Sequence, residues 1–182
     1  LDMPEKTAVC ILADKEEIGS VGISGMQSHY FEHFMEGLCD AQGVKLSDCF
    51  ANSFCLSADV SNAFDPNWPE TCDKRNNSQL NYGVAICKYT GSRGKGGASD
   101  ASAEAMGHVR SMLDKAGVIW QIATLGKVDQ GGGGTVAAYM ANRNIVTVDA
   151  GVPVLSMHAP LELVSKLDCY ETMLACKAIY LA

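Results

Sequence analysis

An apolar run, Thr7-Ala8-Val9-Cys10-Ile11-Leu12-Ala13, ends abruptly in Asp14-Lys15-Glu16-Glu17 and continues into Ile18-Gly19-Ser20. In an extended chain successive side chains point to opposite faces, and a turn re-aims them again, so Glu16 and Glu17 need not serve one purpose. One carboxylate can hold a cation while the other takes and returns a proton, the division of labour of metal-assisted hydrolysis. Alone, the stretch also reads as a solvated acidic loop. Two further residues change its meaning: Asp59 ends a second strand-like segment, and His158 ends a third. Carboxylates with one imidazole suit Zn²⁺, Co²⁺ or Mn²⁺.

Two other constellations compete. His29-Tyr30-Phe31-Glu32-His33 matches H-x-x-E-H, whose histidines at i and i+4 share a helix face and could hold zinc; the bland alternative is a helix with a polar side. Gly131-Gly132-Gly133-Gly134-Thr135 could cradle an anion at a helix start. It lacks the Lys-Ser/Thr pair of a P-loop and the spacing of a dinucleotide fingerprint, so a substrate carbonyl, an oxyanion, a carboxylate or a plain turn fit it as well as a nucleotide phosphate. The eight cysteines include no C-x-x-C pair, which disfavours a disulfide framework or a cysteine zinc site and reads as reduced core thiols.

The elements that must carry these residues alternate. The pattern predicts a strand at 7–13, a helix at 26–41, strands at 52–58 and 83–89, and a glycine-rich basic loop at 90–97. Ser99-Asp100-Ala101 reads as the cap of an alanine-rich helix to about 116, followed by a strand at 118–123. The glycine run opens a helix to about 141; strands at 145–148 and 153–157 flank the turn Asp149-Ala150-Gly151, and an amphipathic helix closes the chain at 161–181. Residues 61–81, rich in Pro and Asn, read as a long irregular loop. Strands alternating with helices and no hairpin signature indicate a single α/β domain, a three-layer sandwich with a mainly parallel or mixed central sheet between helices. In such sheets ligands gather outside the carboxyl ends of the strands, where Glu16, Glu17, Asp59 and His158 can meet.

Composition narrows the classes. With 182 residues, 47% hydrophobic, the chain is long enough for one core. A net charge of −7 without a Lys/Arg stripe argues against nucleic acid. No apolar run approaches the roughly 20 residues of a membrane span and no signal peptide pattern is present, so a cytoplasmic setting is expected. Leu1 is not an initiator methionine, which suggests a piece of a longer chain.

Taken together, Asp14-Lys15-Glu16-Glu17-Ile18-Gly19-Ser20, Ser57-Ala58-Asp59, Pro66-Asn67, Gly131-Gly132-Gly133-Gly134-Thr135-Val136 and Leu155-Ser156-Met157-His158-Ala159-Pro160 resemble successive signatures of the aspartyl aminopeptidase and aminopeptidase I family of dinuclear zinc metallopeptidases, in its bacterial branch. The resemblance runs in order along the whole chain. It implies removal of N-terminal residues from peptides, two Zn²⁺ per site, and a homo-oligomer that in the family is a dodecamer. Glu16 would be the general base, Glu17 and Asp59 each a ligand of one metal, and His158 a ligand of the other. Lys88 would face the substrate pocket, and Gly133, Gly134 and Thr135 would lie where the substrate backbone is held.

Two departures qualify it. Members selective for acidic residues carry a His before the Pro-Asn, where this chain has Asp65, so the resemblance does not extend to their acidic preference. The family's first metal-binding His and its bridging Asp precede the acidic turn and have no counterpart here. The chain thus resembles the C-terminal part of the peptidase domain, and the alternative to an active enzyme is a non-catalytic fragment or assembly module with an incomplete metal site.

Overall fold

The computed structural model describes residues 4–182; Leu1, whose identity prompted the reading of a longer parent, lies outside the described residues. Two helices, α1 (Tyr30–Gln42) and α2 (Leu46–Ala51), precede β1 (Phe54–Asn62). After a long loop come β2 (Val84–Cys87), β3 (Tyr89–Ser92) and β4 (Gly96–Asp100), then α3 (Ala103–Ala116), β5 (Trp120–Ile122) and α4 (Ala137–Ala141). The chain ends with β6 (Val146–Leu155), β7 (Leu163–Val164) and α5 (Lys166–Tyr180).

The main sheet runs β1-β6-β2-β5, with β7 added beside β6. β1 pairs parallel with β6 and β2 parallel with β5, whereas β2 and β7 run antiparallel to β6, so the sheet is mixed. Helices lie on both sides, giving the expected α/β sandwich.

The two faces of this sheet differ in chemistry. One presents Phe54 and Leu56, Val84 and Ile86, Val148 and Ala150 to Val109 and Leu113 of α3 and Ala175 of α5. Complete burial of such aliphatic side chains stabilises by roughly 1.5–3 kcal/mol each, so this face is the main core. Because side chains alternate, the other face presents Cys55, Ser57, Asp59 and Ser61 of β1 beside Thr147 and Asp149 of β6 and Cys87 of β2. These are small or polar, and the short helix α4 lies across β6 and β1. The candidate site is built on this second face.

Local signals explain the ends of the helices. In α1 the buried residues Phe31, Met35 and Cys39 recur every fourth position, and Phe31 stacks on Phe50 of α2 with ring centroids 5.6 Å apart. Gly43, at φ 66, ends α1 and donates its N–H back to Asp40 O. α3 starts at Ser102, whose hydroxyl accepts the Ala105 N–H; the cap therefore falls just after the predicted Ser99-Asp100-Ala101, of which Ser99 and Asp100 finish β4 instead.

Other boundaries also differ from the sequence pattern. Thr7–Ala13 forms no strand; Asp14 alone makes an isolated bridge, to Gly25. Leu12 is 91% exposed, and the Val9 carbonyl accepts the Tyr180 hydroxyl instead of a ladder N–H. The apolar run has the residues of a strand but no ladder partner among the described residues. The predicted loop at 90–97 is the hairpin β3–β4. The two strands expected around Asp149-Ala150-Gly151 are one, β6, because Gly151 lets β1 approach closely: a Cβ there would stand 2.6 Å from the Val60 carbonyl carbon. Pro153 falls between the stretches of β6 that pair with β2 and with β7. All eight cysteines are free, and Cys10 and Cys169 are exposed, not core thiols. Among the described residues no helix is long and apolar enough to cross a membrane.

Candidate metal centre

The acidic residues sit in a tightly tied turn. Lys15 adopts φ 60, Glu16–Ile18 form a single 3₁₀ turn, and Gly19 follows at φ 89. Asp14 serves this geometry: its carboxylate accepts the Lys15 N–H at 2.9 Å and the Ser24 hydroxyl at 2.5 Å. The Ser20 N–H donates to Lys15 O at 2.8 Å, closing the turn, while the Gln27 side chain donates to Gly19 O at 2.7 Å. Gly25 is required beneath it, since a Cβ would stand 2.2 Å from Ser20 O. The turn leaves Glu16 half-buried and Glu17 exposed, so the neighbouring carboxylates do occupy different surroundings.

His158 arrives from the other end of the chain. After β6, Ser156 at φ 60 and His158 at φ 65 make a sharp bend, held where the Ala159 N–H donates to Ser156 O at 2.9 Å and the His158 N–H to Glu162 Oε1 at 2.6 Å. Two non-glycine residues in the left-handed region cost energy that the hydrogen bonds offset. The bend places His158 Nδ1 3.6 Å from Glu17 Oε2. Asp59, half-buried within β1 and not beyond its end, is opposite Gly151 in the ladder; its Oδ1 accepts the Val60 N–H at 2.8 Å.

The charges of these groups act on one another. Burial raises the Glu16 pKa above the ordinary value, and the charges of Asp59 and Glu17 raise it further, while His158 opposes the rise. A carboxyl so placed is a better proton acceptor than a free glutamate. Of the four residues expected to converge, Glu17 and His158 are in contact, and Glu16 feels the charges of Asp59, Glu17 and His158.

Asp149, which the sequence pattern assigned to a turn, lies on β6 opposite Ser57 and Cys87. It is 7% exposed, and burial pushes its pKa up to about 7, opposed by the Ser57 and Thr135 hydroxyls and reinforced by the charges of Asp59 and Glu16. Its Oδ1 and the Ser57 Oγ nevertheless lack a hydrogen-bond partner among the described residues. The available signal was an acid inside an otherwise apolar segment, Ile145–Leu155.

The glycine run lies along the β3–β4 hairpin. The Arg93 N–H donates to Gly131 O at 2.8 Å and the Gly91 N–H to Gly133 O at 2.9 Å. A Cβ on Gly132 would stand 2.4 Å from Gly91 O and one on Gly134 2.7 Å from Gly97 O, so close backbone approach explains the glycines. Among the described residues, no backbone carbonyl accepts the N–H groups of 132–135. Lys88 is ion-paired with Asp100 at 2.5 Å, away from the acidic turn in its bonding. Of the H-x-x-E-H residues, Glu32 is held by His29 Nδ1 at 2.5 Å and by Arg143 Nε at 2.8 Å.

Glu17 and His158 fit one edge of a cation site, because two ligands at about 2.0–2.2 Å from a common tetrahedral ion stand about 3.3–3.6 Å from each other. The set is not complete: among the described residues no three His, Cys, Asp or Glu side chains close on one point as a metal cage.

Residues 1–180 match the family model for the aminopeptidase I zinc metalloproteases, M18. The chain is 51% identical over 172 residues to a probable M18 family aminopeptidase 1 of Clostridium acetobutylicum, covering 92% of this chain and 37% of that protein. It is 45% identical over 185 residues to its counterpart in Borreliella burgdorferi, covering 98% and 40% respectively. The fold superposes on the crystal structure of an M18 aminopeptidase from Thermotoga maritima with a TM-score of 0.88 at 43% identity, over 92% of this chain and 38% of that one. The chain thus spans about two fifths of the length of the relatives that it matches. A family model matched almost end to end, together with relatives up to 51% identical over nearly the whole chain, places this chain in the M18 aminopeptidase family.

Proposed function

We propose that this chain carries the general base and part of the ligand set of a metal-dependent aminopeptidase, and that by itself it is a non-catalytic module with an incomplete metal site. The observation that carries this reading is the 3.6 Å approach of His158 to Glu17, with no third donor closing on it among the described residues. Glu17 and His158 would hold one cation, whereas the family resemblance gives them to different metals; Asp59 would serve a second position. Zinc fits the carboxylate and imidazole donors, with Co²⁺ or Mn²⁺ as substitutes. When bound, the metal would supply Lewis acidity toward the scissile carbonyl and the attacking water.

The remaining work falls to the chain's own groups. Glu16, its basicity raised by burial and by neighbouring acids, would take the proton from water and return it to the leaving amine. The unpaired N–H groups along Gly132–Thr135 would hold the peptide backbone. Lys88 could reach a substrate only by leaving Asp100. Peptide hydrolysis itself would belong to a cytoplasmic homo-oligomer in which longer polypeptides supply the missing ligands. Asp65 argues against a preference for acidic N-terminal residues.

The test combines zinc analysis with an aminoacyl-substrate assay on the purified 182-residue chain. The reading predicts at most one zinc per chain, stripped readily by chelator, and no turnover. Two firmly held metals with turnover would make the chain a complete enzyme, and no zinc binding at all would remove the metallopeptidase reading.

A further inference from the structure

The acidic turn is fixed at both ends of a single peptide unit, the one joining Gly19 to Ser20. Its N–H donates to Lys15 O at 2.8 Å, and its carbonyl, Gly19 O, accepts the Gln27 side-chain amide at 2.7 Å and the Tyr139 hydroxyl at 3.4 Å. Gln27 Nε2 also donates to the Tyr139 oxygen at 3.3 Å, so the three groups close a ring of hydrogen bonds. The hydrogens suffice, because the amide nitrogen carries two and a phenol donates one while accepting another. The Gln27 main chain adds a further tie, its N–H donating to Ser20 O at 3.0 Å.

Tyr139 comes to this turn from 120 residues away in sequence. It stands on α4, the short helix entered from the glycine run through Thr135 and Val136. Arg143, just past the end of α4, donates to Tyr139 O at 2.8 Å and to Glu32 Oε1 of α1 at 2.8 Å. Val136, Tyr139 and Met140 pack in one cluster with Phe31 and Met35 of α1. The Tyr139 backbone and ring are therefore held independently of the hydroxyl that reaches the turn. Gln27 is exposed and Tyr139 half-buried, so water can replace these bonds and they contribute little to overall stability. Their effect is on where the turn sits.

We propose that Tyr139 and Gln27 are positioning residues: together they clamp the Gly19 carbonyl and so fix the turn that carries Glu16 and Glu17 against the helix that follows the glycine run. The role rests on the reading of these groups as part of a peptidase site. It makes the proton-handling carboxylate and the peptide-holding N–H groups parts of one unit, tied through α4 and not through the sheet.

Amide hydrogen exchange and Co²⁺ titration of the 182-residue chain test the clamp. Tyr139→Phe keeps the ring and removes the hydroxyl; Gln27→Glu keeps the length and puts an acceptor where the donor was. Exchange at the Ser20 amide is expected to rise about threefold in the first and about tenfold in the second, with α3 unchanged. Because the two residues share one acceptor and bond each other, the double variant is expected to exceed Gln27→Glu by less than the factor for Tyr139→Phe alone. The affinity for Co²⁺, followed by its visible band, is expected to fall about threefold in Tyr139→Phe with the urea midpoint unchanged, whereas a contact that only supported folding would move the midpoint and leave the affinity alone. Ser20 exchange unchanged in both single variants, effects that simply multiply in the double variant, or Co²⁺ affinity that stays at the wild-type value while exchange rises would each overturn the role. Failure of the peptidase reading would show instead as no Co²⁺ bound by the wild type, and the exchange rates would then decide the clamp by themselves.

Discussion

Glu17 and His158 come from opposite ends of the chain, yet Oε2 of one stands 3.6 Å from Nδ1 of the other. Both side chains are largely exposed, at 74% and 66%, so an ion pair between them contributes little to stability by itself. Their approach is set by two backbone devices, the 3₁₀ turn at Glu16–Ile18 and the left-handed bend at Ser156 and His158. Geometry held by backbone but weak in stabilising energy fits a binding role better than a structural one.

Replacing either partner should therefore weaken zinc binding while leaving the fold intact. Loss of a supporting group around a metal costs about 10–100-fold in affinity, and loss of a ligand should cost no less. Glu17→Gln and His158→Ala are expected to lower zinc affinity by at least about tenfold with unchanged urea midpoints. Calorimetric titration with zinc checks this, and an affinity equal to wild type would contradict it.

Asp149 makes stability depend on pH in an unusual direction. Its carboxyl titrates near 3.8 when exposed and at about 7 when buried, so the folded chain binds the proton more tightly than the unfolded one. Stability is full at low pH and falls as pH rises through the window between these values; the full effect is on the order of 4 kcal/mol. Urea unfolding in chelator should show the wild type losing stability from pH 5 to pH 8 relative to Asp149→Asn. Parallel pH curves for the two would show that the carboxyl is not held protonated.

Asp168 of α5 is wholly buried and accepts the Asn81 and Gly83 N–H groups, each at 2.8 Å, pinning the helix to the loop that enters β2. Asp168→Ala would leave two donors unsatisfied, at about 1–3 kcal/mol each. A urea midpoint shift corresponding to a total loss of about 2–5 kcal/mol is expected, and a change below about 1 kcal/mol would mean that solvent replaces the carboxylate.

The legible part of the molecule was what local pattern determines. The buried stripe of α1, the strand nature of β1 and β2, and the helix after Ser102 follow from spacing and capping. The acidic turn, Asp59 and His158 were visible as polar residues at the ends of apolar segments. Ladder partners were not. Thr7–Ala13 has a strand's residues without a strand's neighbour, and β6 runs straight through Asp149-Ala150-Gly151 because β1 lies close enough to require Gly151. Asp149 was missed for the same reason: its meaning depends on Ser57 and Thr135, which only the assembled sheet brings beside it.

The proposed metal centre requires Glu17 and His158 to hold the same ion. The most direct test is X-ray absorption at the zinc edge of the zinc-loaded chain, wild type against His158→Ala. The expected spectrum has nitrogen and oxygen neighbours at about 2.0–2.2 Å with one imidazole, which vanishes in the variant. Sulfur scattering at about 2.3 Å, or an imidazole signal that survives the loss of His158, would contradict it.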